Sequence, residues 1–309
     1  MAYNLKEQVE KPERFAGGHR LCAGCGAAVT VRSVLRALEP EDKAVVANAT
    51  SCLEVSSYNY PYTAYEDSYI HTAFENAAAT IGGVEAAYRV MKKKGKIDDT
   101  FKFIAFGGDG GTYDIGLQSL SGVLERGHDM LYVCYDNEAY MNTGIQRSSS
   151  TPRFTDATTS PVGTEIQGKI QNKKDLTSIV AAHNIPYAAQ TTFIGNFKDL
   201  HEKARKAIYT CGPTFLNVLA PCPRGWRYEA EDLAEICKLA VDTCVWPLYE
   251  IEDGTWRLTY EPKKKLPVGK LLEKQGRFRH MFDAGNEWMI EEAQKYVDQE
   301  WEKLLAKCK

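Results

Sequence analysis

The chain has 309 residues, of which 44% are hydrophobic and 26% are charged, and its formal net charge at pH 7 is −3. These values are typical of an ordinary soluble globule with one large or two smaller domains. The slightly acidic charge argues against general nucleic-acid binding, and neither a membrane-spanning apolar run nor an apolar N-terminal signal is present in the sequence. We therefore expect a cytoplasmic protein with no nucleic-acid or membrane partner.

Helices and strands alternate in the first hundred residues. A turn with Cys22 and Cys25 precedes a helix over 31–38, which ends at Glu39-Pro40, and an apolar strand over 44–47 follows. A long helix is predicted to start at Thr72 and to close at 92–95. Apolar residues at helical spacing define the two helices: Val31, Val34, Leu35 and Leu38 in the first, and Ala77, Ile81, Val84, Tyr88 and Met91 in the second.

The alternation continues to about residue 219. Strands are predicted over 101–106, 130–135 and 215–219, and helices over 117–127 and about 196–210. Residues 141–175 are polar and predict a long loop, which is usually functional inside a compact domain. Repeated strand–helix–strand units with apolar strands predict an α/β fold, a doubly wound parallel sheet covered on both faces.

The C-terminal part departs from this pattern. Residues 250–309 are polar and Lys-rich, and they end in an amphipathic helix near 286–306. We therefore divide the chain into a domain of residues 1–249 and an irregular C-terminal extension of residues 250–309. The extension is expected to dock on the core or on a partner chain.

Four cysteines stand out by their position: Cys22 and Cys25 share one turn, and Cys52 and Cys222 follow predicted strands. In a chain without an export signal, such thiols are better interpreted as metal ligands than as disulfides. Four thiolates suit an iron–sulfur cluster or a zinc ion, and their spacing alone does not decide between the two. The remaining five are interpreted as packing or incidental residues, with the pair seven residues apart expected on one face of a helix: Cys134, Cys211, Cys237 and Cys244, and Cys308.

A glycine motif follows the strand over 101–106. Gly107-Gly-Asp-Gly-Gly111 before a helix offers backbone N–H groups to a phosphate, and Asp109 adds an oxygen ligand for Mg²⁺. Asn137 follows the next strand, and neighbouring strand ends of a parallel sheet meet at one edge. An ordinary strand–helix turn explains the glycines alone, but the added Asn137 favours a site for Mg²⁺ and a diphosphate.

Gly-Asp-Gly followed at this interval by Asn resembles the thiamine diphosphate motif. Nearly the whole chain resembles the β subunits of the 2-oxoacid:ferredoxin oxidoreductase family, which includes pyruvate:ferredoxin oxidoreductase (pyruvate synthase). The segments that carry the resemblance are HTAFENAAA at 71–79, GDGGTYDIGLQSLSG at 108–122, YDNEAYMNTGIQR at 135–147, APCPRGW at 220–226 and QGRFRH at 275–280.

The resemblance implies a role for each matching position. Asn142 and Thr50 are implied at the reacting end of the cleft. A proximal [4Fe–4S] cluster is implied on Cys22, Cys25, Cys52 and Cys222. The implied Mg²⁺ ligands are Asp109, Asn137 and the carbonyl of Ala139, and the remaining implied cofactor-binding residues are Thr50, Ser51, Cys52, Gly108, Gly110 and Gly111.

The family's activity is oxidative decarboxylation of a small 2-oxoacid, with electrons passed to the cluster and then to ferredoxin. Pyruvate is the default substrate, and coenzyme A is the acyl acceptor in members that use it. Oxalate or another 2-oxoacid, without coenzyme A, is the alternative within the class. No candidate is found for the glutamate that activates the aminopyrimidine, so the resemblance implies α, γ and δ-type partner subunits.

A different class of function also stays open, namely a non-catalytic electron carrier or a structural zinc subunit that keeps the fold. Two residues have two interpretations each. His71, expected at the start of a helix, is either a structural residue or one that handles protons. Arg224 stands where relatives commonly have Thr, and it either tunes the cluster or is a surface residue without a role.

Overall fold

The computed structural model describes residues 3–195 and 197–308. Eight of its strands form one sheet, and the other two form a separate hairpin. The strands of this described part are, in chain order, β1 (Lys43–Ala49), β2 (Tyr58–Asn59), β3 (Tyr62–Thr63), β4 (Ser68–Thr72), β5 (Phe101–Gly108), β6 (Met130–Asp136), β7 (Tyr187–Thr191), β8 (Pro213–Leu219), β9 (Tyr249–Glu252) and β10 (Thr255–Leu258).

Helices lie between these strands. The α-helices of the described residues are α1 (Leu5–Glu10), α2 (Gly26–Leu35), α3 (Cys52–Ser57), α4 (Ala77–Lys93), α5 (Leu117–Glu125), α6 (Leu176–Ala181), α7 (Lys198–Tyr209), α8 (Pro223–Trp226), α9 (Leu233–Asp242), α10 (Gly269–Leu272) and α11 (Glu287–Lys307). A π-helix, Gly110–Ile115, and two 3-10 helices, Ala230–Asp232 and Gly276–Phe282, complete the set.

The main sheet has the order β10-β9-β7-β8-β6-β5-β1-β4. Neighbours from β7 to β4 run parallel, and β9 and β10 add an antiparallel hairpin at one edge. Side chains alternate between two cores: Ile104 and Phe106 pack with α2 and α7, and Phe103 and Ala105 pack with α4 and α5. Helices on both faces confirm the predicted doubly wound α/β fold.

The order of the strands creates a crevice at one edge of the sheet. From β1 the chain passes to β4 at the outer edge, and it then returns through α4 to β5 on the other side of β1. Connections that leave neighbouring strands in opposite directions open a crevice at the carboxyl ends of the strands, where ligands bind. The loops after β1, β5 and β6 therefore converge at this edge. The sequence analysis predicts this convergence for the polar residues that follow these strands.

The predicted boundary at 249/250 falls inside β9, which continues the main sheet. Beyond the hairpin the chain packs on the same core through α11, whose Met289, Val297, Trp301 and Leu304 are buried against it. The C-terminal extension thus docks on the core of its own chain. None of the described helices is both long and apolar enough to cross a membrane.

The predicted helix start at Thr72, with His71 beside it, is wrong. Ser68–Thr72 is strand β4, which pairs in parallel with β1 (Ala47 opposite Ile70), and α4 begins only at Ala77. Aromatic and β-branched residues in this segment favour an edge strand. His71 therefore lies at the carboxyl end of a strand, beside the crevice.

Other boundaries also differ from the prediction. The helix predicted over 31–38 is α2, Gly26–Leu35, and position 196, the predicted start of α7, lies outside the described residues. Six of the described strands have no counterpart in the sequence prediction, namely β2, β3, β4, β7, β9 and β10. Cys237 and Cys244 do not share a helix face, because α9 ends at Asp242 and Cys244 has a left-handed backbone (φ 59°). Both are buried, as the packing interpretation requires.

Glu250 in β9 connects the edge hairpin to the rest of the sheet through its side-chain contacts. We expect Glu250→Gln to lower the free energy of unfolding by about 1–3 kcal/mol at pH 7. Its carboxylate, 4% exposed, accepts hydrogen bonds from Tyr187 (2.7 Å) and Arg257 and pairs with Lys206 (3.2 Å). Burial raises the pKa of Glu250, but these partners outweigh burial and hold it below the usual value. Denaturant unfolding of the purified protein measures the loss.

The same residue gives a pH dependence. Because the folded-state pKa of Glu250 is lowered, its contribution is fully present above the unfolded-state pKa and is lost as the pH falls through the folded-state pKa. The difference between wild type and Glu250→Gln should therefore shrink in acid. Glu252→Gln, on the exposed end of the same strand, is the matched control and should change little. An equal loss in both variants would contradict the assignment.

Candidate active site

A cleft lies at the carboxyl edge of the sheet, between the loops that follow β1, β5 and β6. All ten predicted cofactor-binding and catalytic positions line this cleft: Thr50, Ser51, Cys52, Gly108, Asp109, Gly110, Gly111, Asn137, Ala139 and Asn142. Five further residues complete its wall: Phe74, Tyr135, Tyr140, Met141 and Thr143. The structure therefore brings together segments that are far apart in the chain.

Three oxygen atoms converge in the cleft. The side-chain amide oxygen of Asn137 lies 2.8 Å from Oδ1 of Asp109 and 2.9 Å from the carbonyl oxygen of Ala139. With its nitrogen inward, the Asn137 amide donates hydrogen bonds at these distances, and with its oxygen inward the three oxygens form a donor set for a cation. Adjacent ligands of octahedral Mg²⁺, each at 2.0–2.1 Å, are about 2.9 Å apart. This donor set fits Mg²⁺.

The environment of Asp109 disfavours the ionised form of its carboxyl group. It is completely buried, and burial together with the charge of Asp136 raises its pKa well above the usual value. Its second oxygen, Oδ2, accepts a hydrogen bond from the hydroxyl of Ser148. A divalent cation at Oδ1 would compensate the buried charge, so the electrostatics and the donor set agree.

The backbone at Glu138 gives its shape to the loop after β6, which holds the predicted Mg²⁺ ligands and is called the metal-binding loop below. Glu138 has a left-handed conformation (φ 65°), which is costly for a residue with a side chain, and it stands between Asn137 and Ala139. Its buried carboxylate pairs with Lys173 (3.1 Å) and Arg277 (2.5 Å). These two ion pairs hold the strained residue so that the Asn137 side chain and the Ala139 carbonyl face one point.

A run of hydroxyl groups in the long loop supports the acidic groups. Ser148 donates to Asp109, Ser150 donates to Oδ1 of Asp136 at 2.6 Å, and Thr151 donates to the carbonyl of Glu138 at 2.6 Å. The described residues between 141 and 175 contain no α-helix or sheet strand, as predicted. The loop therefore has a function in the site, which is to satisfy buried carboxylates.

We expect Gly110→Ala to weaken thiamine diphosphate binding about tenfold or more, because a methyl group at Gly110 would lie 2.4 Å from the Tyr140 ring. Tyr140 donates to the Gly110 carbonyl (2.9 Å), and its displacement would shift the neighbouring Ala139 carbonyl. Calorimetric titration with Mg²⁺ and thiamine diphosphate measures the change. Gly83→Ala, where the added carbon meets nothing within 4 Å, is the control. Unchanged affinity in Gly110→Ala would contradict the prediction.

The segments of the four cysteines meet beside this cleft. Gly26 follows Cys25 and donates to the Pro221 carbonyl (3.0 Å), and a Cβ at Gly26 would lie 2.5 Å from the Ala220 backbone. Only glycine permits this approach, which sets the turn of Cys22 and Cys25 against the loop of Cys222. Cys22 is exposed, and the other three are partly buried.

Burial disfavours the thiolate form of these cysteines, and backbone N–H groups offset part of this effect at Cys25 and Cys222. Cys25 and Cys222 are the N-cap residues of α2 and α8, and the Gly225 N–H donates to Sγ of Cys222 at 3.4 Å. Burial, with a smaller contribution from the charges of Cys222 and Cys22, raises the pKa of Cys25 to about 11. Burial, with smaller contributions from the charges of the other three thiols and of Asp109, raises the pKa of Cys52 to about 12. The four thiols thus form one electrostatic group, and Cys52 also lines the cleft.

Thr50 and His71 meet at the cleft entrance. The Thr50 hydroxyl donates to the Thr72 carbonyl (2.9 Å) and lies 3.4 Å from Nε2 of His71, whose Nε2 is also 3.4 Å from Oε1 of buried Glu54. Burial raises the pKa of Glu54. These contacts are compatible with both interpretations of His71, as a structural residue and as a residue that handles protons. Asn142 also lines the cleft and is exposed.

Comparisons with known proteins agree with this geometry. Residues 46–218 match the family model described as "Thiamine pyrophosphate enzyme, C-terminal TPP binding domain". Pyruvate synthase subunit PorB of Thermotoga maritima is 52% identical over 99% of this chain and 96% of its own length. The subunit of the same name from Methanocaldococcus jannaschii is 52% identical over 94% of this chain and 96% of its own length. The chain belongs to the PorB family of pyruvate synthase subunits.

Two further similarities place the PorB family chain among its relatives. Ketoisovalerate oxidoreductase subunit VorB of Pyrococcus furiosus is 44% identical over 97% of this chain and 96% of its own length. A solved structure, "2-oxoglutarate:ferredoxin oxidoreductase from Magnetococcus marinus with 2-oxoglutarate, coenzyme A and succinyl-CoA bound", superposes with a TM-score of 0.57 at 21% identity. It covers 77% of this chain and 80% of its own, and it shows a shared fold.

Sequence reasoning missed the groups behind the loop that follows β6. Arg277 and Trp226 are buried there, Lys173 is partly buried, and the Trp226 Nε1 donates to the Asn137 carbonyl at 2.8 Å. The only signal was the family match at 220–226 and 275–280. Arg224, the cation that the sequence singled out, is exposed in this PorB family chain, in agreement with its surface interpretation.

Proposed function

We propose that this PorB family chain is the thiamine diphosphate- and Mg²⁺-binding subunit of a pyruvate:ferredoxin oxidoreductase, and that its four cysteines hold a [4Fe–4S] cluster that receives the electrons. The observation that carries the proposal is the double position of Cys52. This thiol lines the cleft with Asp109 and Asn137, and it belongs to the electrostatic group of the four cysteines. An electron leaving the cleft would therefore meet the cluster first.

The residues of the chain have distinct tasks in this proposal. Asp109, Asn137 and the Ala139 carbonyl hold Mg²⁺, and the glycine turn before the π-helix lets backbone N–H groups approach the diphosphate. Bound thiamine diphosphate supplies the electron sink for decarboxylation of a 2-oxoacid. Thr50 and Asn142, which both line the cleft, orient the substrate.

Pyruvate is proposed as the substrate, on the names of the most similar relatives. Overall identity does not exclude a branched 2-oxoacid, because the PorB and VorB subunits of Pyrococcus furiosus are 45% and 44% identical to this chain. Oxalate stays the alternative that would dispense with coenzyme A. Assays must therefore compare pyruvate, 2-ketoisovalerate and oxalate, with and without coenzyme A.

The proposal includes partner subunits. In the described part of the chain, no glutamate lines the cleft, so the group that activates the aminopyrimidine has to come from another chain. We propose α, γ and δ-type subunits and ferredoxin as partners, because the relatives are themselves named as subunits. The isolated chain should accordingly be inactive.

A structural zinc subunit is less well supported. Zinc requires its thiolates about 2.3 Å from one ion. A structural zinc ion gives no reason for one of its thiols to line a cofactor cleft, whereas a redox-active cluster beside the cleft does, and Cys52 lines the cleft.

The test is purification of the intact complex without air, followed by measurement of iron, acid-labile sulfide, zinc, Mg²⁺ and thiamine diphosphate. The proposal expects iron, sulfide and the cofactor, and coenzyme A-dependent reduction of ferredoxin with pyruvate. Zinc in place of iron, or a complex without thiamine diphosphate, would reject it. Activity with oxalate and no need for coenzyme A would assign the alternative substrate.

A further inference from the structure

Arg277 is a buried cation between the two candidate cofactor sites. It is 2% exposed, and its guanidinium stacks 3.9 Å from the ring centroid of Trp226. The Nε donates to Gln275 (2.9 Å) and one Nη donates to Glu138. The other, Nη1, is buried and has no hydrogen-bond partner among the described residues. A buried arginine with an unused donor is unusual in a purely structural role.

Both sides of Arg277 lead to a cofactor site. On one side, its partner Glu138 stands in the strained loop that presents Asn137 and Ala139. On the other side, Trp226 ends α8, the short helix whose N-cap is Cys222. The Trp226 Nε1 donates to the Asn137 carbonyl (2.8 Å), and this hydrogen bond connects α8 directly to the metal-binding loop. The positive charge of Arg277 also lowers the pKa of Cys222, against a larger rise from burial.

We propose that Arg277 is a positioning residue for electron exit: it fixes the helix of Cys222 against the metal-binding loop, and its buried charge raises the reduction potential of the cluster. This inference rests on the proposed function, because it needs the cluster. A fixed cation in a low-dielectric interior stabilises the more negative, reduced state of a cluster. Glu138, held beside it, lowers the potential in the opposite sense.

The opposite charges give two variants with opposite expected results. Arg277→Met keeps an apolar side chain against Trp226 but removes the charge, and the midpoint potential should become more negative. Glu138→Gln leaves the charge of Arg277 uncompensated, and the potential should become more positive. A tenfold change in the reduction equilibrium corresponds to about 59 mV for one electron, and we expect shifts of at least this order.

The measurement is a redox titration of the intact complex, purified without air and followed by electron paramagnetic resonance. The signal that belongs to this chain is the one that a Cys52→Ser complex lacks. Arg279→Gln is the matched control, because Arg279 lies two residues away in the same 3-10 helix and is exposed. It should leave the potential unchanged.

The outcomes separate the inference from the proposed function. Opposite shifts in Arg277→Met and Glu138→Gln, with none in Arg279→Gln, support the inference. A wild-type signal whose potential neither variant moves beyond the control overturns it, and so does loss of the signal from both variants. If the wild-type complex has no signal that Cys52→Ser removes, the proposed function itself has failed.

Discussion

Asp109→Ala is expected to lower the affinity for Mg²⁺ and thiamine diphosphate by more than about 100-fold, since even the loss of an outer partner of a metal ligand costs 10–100-fold. Asp109 supplies the only side-chain charge among the three converging oxygens of the described cleft, and no other carboxylate lines that cleft. Titration calorimetry on the cofactor-free complex measures the affinity, and ferredoxin reduction should fall in parallel.

A second variant separates binding from folding. Asp109→Asn keeps the shape of the side chain but removes a buried charge that repels Asp136, so the cofactor-free protein should be at least as stable as wild type. Asp114→Ala is the matched control, because Asp114 lies in the π-helix that Asp109 precedes and accepts a hydrogen bond from Ser149 outside the cleft. Wild-type affinity in Asp109→Ala would rule out the proposed Mg²⁺ site.

Cys52→Ser is expected to remove about four iron and four sulfide per chain from the complex and to abolish ferredoxin reduction. The reason is that Cys52 both lines the cleft and belongs to the proposed ligand set with the other three thiols. Iron and sulfide analysis measures the loss against wild type. Thiamine diphosphate should still bind, because the three oxygens around the Mg²⁺ position do not include this thiol.

The control for this variant is Cys211→Ser, since Cys211 is exposed and is not one of the predicted ligands. It should keep both iron and activity. Full activity with unchanged iron in Cys52→Ser would remove the cluster from the proposal. Loss of iron with retained ferredoxin reduction would show that electrons leave by another route.

Much of the parallel sheet could be predicted from the sequence. Its central strands are apolar runs, as in β5 and β6, and the helices that cover them have apolar residues at helical spacing. The residues of the cleft were predictable for a related reason. Asp109 and Asn137 follow adjacent buried strands, so topology alone brings them to one edge.

The missed elements depend on contacts that no local pattern contains. Strand β4 becomes a strand by pairing with β1, and the β9–β10 hairpin does so by pairing with β7. The groups behind the metal loop are similar, because Lys173, Arg277 and Trp226 come from a loop, a 3-10 helix and a four-residue helix. These side chains make their ion pairs and ring contacts only after the fold has buried Glu138 among them.

The cysteines have a consequence for how the protein matures. Cys22 and Cys25 precede the first strand of the sheet, Cys52 follows that strand, and Cys222 follows β8. Only the completed sheet, with Gly26 pressed against Ala220, brings these three segments into one place. Insertion of the proposed cluster therefore requires these three segments, up to the loop after β8, to have come together first. Cys22 is the one predicted ligand that is exposed.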